Sequence, residues 1–194
     1  MDQSHENIQR ITGVAVLSAI MIVLQVVGNF VAIGPVSINL SLIPIALAAI
    51  IYGPLAGGLL GLLSGVMVLF APSTEAVFMP ISVFGTVLVC LLKCTIAGIL
   101  GGLVHKLVSK KSPIVSYVLC AMTIAIVNTG LFVVGCLVFF MPLLQENSGT
   151  YANAYAFLFL GMIGWNFIFE VVSASVFVPV LAKVLSARKQ PITK

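Results

Sequence analysis

Residues 83–107 read VFGTVLVCLLKCTIAGILGGLVHKL, and the only charge before the closing His105-Lys106 is Lys93. A helix needs about 20 consecutive apolar residues to cross the hydrocarbon core of a bilayer. This stretch meets that requirement, and its neighbours resemble it. Working outward, apolar segments run over 11–33, 40–52, 55–71, 113–141 and 155–185. The two short ones meet at Gly53-Pro54, where proline cannot continue a helix and the residue before it avoids the α region. Two short helices joined by a tight turn are therefore expected over 40–71.

The composition agrees. Hydrophobic residues make up 61% of the 194-residue chain and charged residues 7%. Soluble domains carry about 25% charged residues, so a water-soluble fold is excluded. The expectation is an all-α integral membrane bundle of six transmembrane helices. It forms one domain over 1–194, with short tails at 1–10 and 187–194.

Charge sets the orientation. With six passes, one side collects Arg10, Lys106, Lys110, Lys111, Lys183, Arg188, Lys189 and Lys194, and the other collects Glu75 and Glu146 with no Lys or Arg. Lys and Arg accumulate in cytoplasmic loops. Both termini are therefore expected in the cytoplasm, with the protein in the cell membrane. The acidic, polar N-terminus MDQSHENIQR lacks the basic start of a secretory signal. The basic residues form no nucleic-acid footprint.

Small residues recur at helical spacing. Gly57, Gly61 and Gly65 are four apart, as are Gly98 and Gly102. Such rows let helix backbones approach closely. Ala15 and Ala19 form a second small-residue pair in the first segment. Cys90, Cys94, Cys120 and Cys136 lie inside apolar runs and read as small apolar packing residues. No His, Cys or carboxylate set has metal-ligand spacing, so neither a metal nor a cofactor is expected.

Polar groups deep in apolar helices carry the functional signal. Lys93 lies ten residues into its segment, roughly 15 Å at the helical rise, and Glu170 roughly 22 Å into the last one. A charge at such depth costs at least about 2.5 kcal/mol on insertion scales and normally faces a partner or a wet cavity. Asn128 and Asn166 fall at similar depth, and Asn166 shares a helix face with Glu170. Two readings stand side by side. Lys93 and Glu170 form a structural ion pair with the amides as interhelical glue, or the set lines a ligand pocket in which Lys93 meets an anionic or carbonyl group.

Enzymatic chemistry is not expected. There is no GxxxxGK[ST] phosphate loop, no HExxH pair and no GxSxG elbow. The acids at 75, 146 and 170 lie at different depths. Voltage-sensor arginines and a potassium-filter sequence are also missing.

In size, topology and motif the chain resembles the substrate-binding S component of energy-coupling-factor (ECF) transporters. The resemblance rests on the AxxxA pair Ala15-Val-Leu-Ser-Ala19, the run from Leu42 through Gly53-Pro54 to Gly65, and Val127-Asn-Thr-Gly130. It implies a membrane subunit that binds a vitamin or related micronutrient from outside. Such a subunit docks through the small residues of its first helix, here Ala15 and Ala19, on a transmembrane coupling subunit driven by two cytoplasmic ATPases. The ligand then sits in the outer half of the bundle, with Asn39, Phe78, Lys93, Asn128, Trp165, Asn166 and Glu170 as candidate contacts. A buried lysine favours a carboxylate-bearing ligand such as pantothenate or folate, and riboflavin stays open. The other classes are a stand-alone secondary transporter or channel, for which no inverted repeat is evident, and a ligand-free membrane scaffold.

Overall fold

Gly53-Pro54 divides one long apolar run into two helices. In the computed structural model, which describes residues 3–29, 32–33, 36–37 and 39–187, α2 spans Leu42–Tyr52 and α3 spans Pro54–Leu69. Gly53 adopts φ 96° and ψ 175°, a region open essentially only to glycine. Pro54 follows as the first residue of α3, where its missing N–H costs nothing.

α1 spans Gln3–Asn29, α4 Val83–Val108 and α5 Pro113–Phe139. α4 and α5 follow their apolar segments closely, whereas α1 begins at Gln3 and not Ile11, so that most of the expected 1–10 tail is helical. After a short α6, Met141–Glu146, and a single turn α7, Ala154–Ala156, the chain passes through a π-helical stretch, Phe157–Ile163, into α8, Gly164–Ala187. Another π-helical turn, Thr74–Phe78, links α3 to α4. α1 ends before the expected 33, and Ala32–Ile33 pairs antiparallel with Val36–Ser37. The intervening sequence, Gly34-Pro35, is incompatible with a continuing helix.

Among the described residues, four stretches are long and apolar enough to cross a membrane: Asn7–Asn29, Val83–Val108, Pro113–Phe139 and Ala154–Val184. α2 and α3 are apolar but shorter. At the helical rise, the 11 residues of α2 extend only roughly 16 Å. Its face Leu42, Ile45, Ala46, Ala48 and Ala49 is almost fully buried, so α2 is a central strut. α1, α3, α4, α5 and α8 all pack against it. Of the basic residues, Arg188, Lys189 and Lys194 lie outside the described residues.

The glycine rows make the tightest contact. A Cβ on Gly57 would stand 2.7 Å from the Gly98 carbonyl oxygen, and one on Gly65 would stand 2.6 Å from the Cys90 carbonyl oxygen. One on Gly61 would run into the Cys94 carbonyl, and one on Gly102 into Pro54. α3 and α4 are therefore in backbone-to-backbone contact. At the Pro54 end of this contact, Arg10 donates to the Tyr52 carbonyl at 2.8 Å, tying the first turns of α1 to the α2–α3 turn.

Because backbone cannot yield as a side chain can, Gly61→Val is expected to destabilise the protein by about 1–3 kcal/mol. Gly130, whose added Cβ meets nothing within 4 Å, is the control. Gly130→Ala should leave stability unchanged or raise it by up to about 1 kcal/mol. Thermal unfolding in detergent reads both.

Candidate functional site

Two adjoining cavities open among the residues at the end of the bundle away from the α2–α3 turn. The first is lined by Gln25 of α1, Asn39, the α3–α4 connection at Ser73, Thr74 and Phe78, Lys93 of α4, and Phe132 and Phe140 near the end of α5. The second is lined by Asn39, Lys93, Asn128, Thr129, Phe132, Met162, Asn166 and Glu170. Asn39, Lys93 and Phe132 border both. The polar side chains picked out by depth in the sequence thus converge on one place, and Phe78 joins them.

The two charges are both buried, Lys93 at 9% exposure and Glu170 at 7%. They do not form an ion pair among the described residues. Glu170 is held by other groups: its Oε1 accepts the Asn39 backbone N–H at 3.2 Å, and its Oε2 accepts the Thr129 hydroxyl at 3.5 Å. Asn39 lies just ahead of α2, where a helix N-terminus favours negative charge. Lys93 Nζ lies 5.0 Å from the centre of the Phe132 ring, a cation–π contact. It makes no hydrogen bond among the described residues.

A buried polar chain stiffens the floor. Ser41 Oγ donates to Asn39 Oδ1 and meets Ser64 Oγ at 2.6 Å, linking the start of α2 to α3. Cys94 Sγ donates to Asn128 Oδ1 at 3.4 Å, linking α4 to α5. The four cysteines are free and buried, as their apolar surroundings in the sequence imply. No group of three or more His, Cys, Asp or Glu side chains among the described residues is arranged to hold a metal ion.

A model of the family described as ECF transporter, substrate-specific component, matches residues 9–182. The chain belongs to this family. It is therefore a membrane protein of the substrate-binding kind, working within an ECF transporter complex, and the family is one of transport components and not of enzymes. No curated protein and no solved structure matches it significantly.

In this S component the candidates are not all equivalent. Asn39, Phe78, Lys93, Asn128, Asn166 and Glu170 line the cavities, whereas Trp165 is turned outward and 69% exposed. Successive helical residues are about 100° apart, so the turn that brings Asn166 inward carries its neighbour to the outer surface. Ala15 and Ala19 are exposed on α1. Sequence reasoning passed over Gln25, Thr129 and Phe132. Gln25 was detectable by the same rule as Asn128, a lone amide in an apolar helix. Phe132 carried no signal among so many apolar neighbours.

Removal of the carboxylate should orphan the Asn39 N–H and the Thr129 hydroxyl. Glu170→Ala is expected to cost about 1–3 kcal/mol for the stranded donors, while Glu170→Gln keeps an oxygen acceptor and most of the stability. The difference in melting temperature between the two variants checks this.

Proposed function

We propose that this S component captures a vitamin-type micronutrient from outside the cell in the paired cavities. It does so as a six-pass protein with both termini cytoplasmic, and it delivers the ligand when docked on a transmembrane coupling subunit energised by two ATPases. One observation supports the reading above the others. Lys93 and Glu170 both line one cavity and are buried there, yet they form no ion pair among the described residues. A purely structural pair would have closed, because an uncompensated buried charge costs several kcal/mol. The carboxylate-bearing class, with pantothenate or folate as examples, fits the three unused donors of Lys93, and riboflavin is the neutral alternative.

Space sets a further condition. Each cavity has a volume of about 40 Å³, room for about three waters, whereas small-molecule pockets typically measure about 300–1,000 Å³. Binding therefore requires the surrounding elements to part. Both π-helical stretches border the cavities, through Thr74 and Phe78 on one side and Met162 and Ile163 on the other. Such segments are rare and recur at functional sites, which makes them the elements on which we place the displacement.

The orientation follows from the excess of Lys and Arg at one end, and docking follows from the exposed Ala15–Ala19 pair, over which a partner helix can lie close. Ala15→Leu with Ala19→Leu is expected to abolish ATP-dependent uptake and co-purification with the coupling subunit while leaving the melting temperature within a few degrees. Full assembly and uptake in that double variant sinks the docking surface. Uptake by the chain alone in liposomes, without ATPases, favours the stand-alone transporter. A Lys110→Cys variant should resist an impermeant thiol reagent added to intact cells, and ready labelling inverts the orientation.

A further inference from the structure

The hydrogen-bonding capacity left open around the cavities is of two kinds. On the donor side, Lys93 has three N–H groups with no acceptor among the described residues, and Asn39 Nδ2 is buried without a partner. On the acceptor side, Gln25 Oε1 is buried with no partner among the described residues, its amide nitrogen being turned to Asn29 Oδ1 at 3.3 Å. The Glu170 carboxylate offers about four lone-pair sites, and among the described residues the Asn39 N–H and the Thr129 hydroxyl are the donors that reach it. The Phe132 ring lines both cavities, with Lys93 Nζ 5.0 Å from its centre and Phe78 packed edge-on to it at 5.8 Å.

Net charge narrows the choice. With Lys93 and Glu170 both ionised, the pocket is neutral. A ligand that brings only an anion leaves a net negative charge beside Glu170, where weak screening magnifies repulsion. A ligand that brings only a cation strands Lys93. Neutrality is kept, and both unused sets are met, when one molecule carries an acceptor end and a donor end.

We infer that the ligand is bipolar: an anionic group bound by Lys93 with the Asn39 amide, and a cationic or N–H donor group received by Glu170, joined by an apolar stretch against Phe132. This rests on the proposed binding role and deepens it. Glu170 thereby becomes the residue that selects among anions, since any carboxylate satisfies Lys93 but only a donor-bearing one satisfies Glu170.

The test uses minimal probes on the full chain in detergent. Thermal shifts are titrated with β-alanine, 4-aminobutanoate and 6-aminohexanoate, and with propanoate, butanoate and hexanoate, which differ from them only in lacking the ammonium group. At least one amino acid should bind about tenfold more tightly than its matched carboxylate, as a hydrogen bond to a charged group implies. That preference should vanish in Glu170→Gln, while Lys93→Met should weaken both series. Equal binding of the two series, persistence of the preference in Glu170→Gln, or no shift with any probe overturns the inference. Those results leave the binding role standing provided that a small molecule is still released from the denatured wild-type protein. If none is released either, the binding role falls as well.

Discussion

The structure depends on how an ammonium and a carboxylate are kept apart inside an apolar bundle. Left to themselves, two opposite charges in a poorly screened space would meet. Here Glu170 is held from one side by the backbone N–H of Asn39 and from the other by Thr129, while Lys93 rests over the Phe132 ring. Each group is partly compensated by something other than its natural partner. The arrangement requires the start of α2 to sit at a fixed height against α8, and the short length of α2 achieves this. A full-length helix there would carry Asn39 past the carboxylate.

That placement is secured along α3, from the Gly53-Pro54 turn to the Cys94 backbone beside Lys93. The α3–α4 glycine contact removes freedom to slide, because shifting α3 along α4 brings side chains against backbone. The Gly53-Pro54 turn fixes where α2 ends, and Arg10 binds that turn to α1. The Ser41–Ser64 contact joins α2 to α3 beneath the site. Close backbone packing of α3 on α4 thus supports the cavities, whose walls include parts of the two π-helical stretches.

Much of this was legible in the sequence, for identifiable reasons. Length of apolar run placed most helix ends within a few residues, but not the start of α1, which extends through polar sequence to Gln3; Gly53-Pro54 announced the break between α2 and α3 because proline chemistry is local. The depth rule found Lys93, Asn128, Asn166 and Glu170, since a polar group in a hydrocarbon setting stands out. Helical rotation was harder to read. Trp165 and Asn166 are adjacent in sequence and face different surroundings, and the π-helical stretch before them shifts the phase that a 3.6-residue count would assign. Phe132 was invisible because an aromatic ring in an apolar helix carries no contrast. The separation of Lys93 from Glu170 depends on Asn39, which lies 131 residues away from its carboxylate partner.

The most direct measurement is mass spectrometry of small molecules released by heat from the protein purified from its native membrane, compared between wild type and Lys93→Met. The account predicts a near-stoichiometric compound from the wild type and at least about tenfold less from the variant, the loss expected when a charge-assisted contact is removed. Equal recovery from both proteins would contradict it, leaving Lys93 as a packing group and the polar space without the role assigned to it.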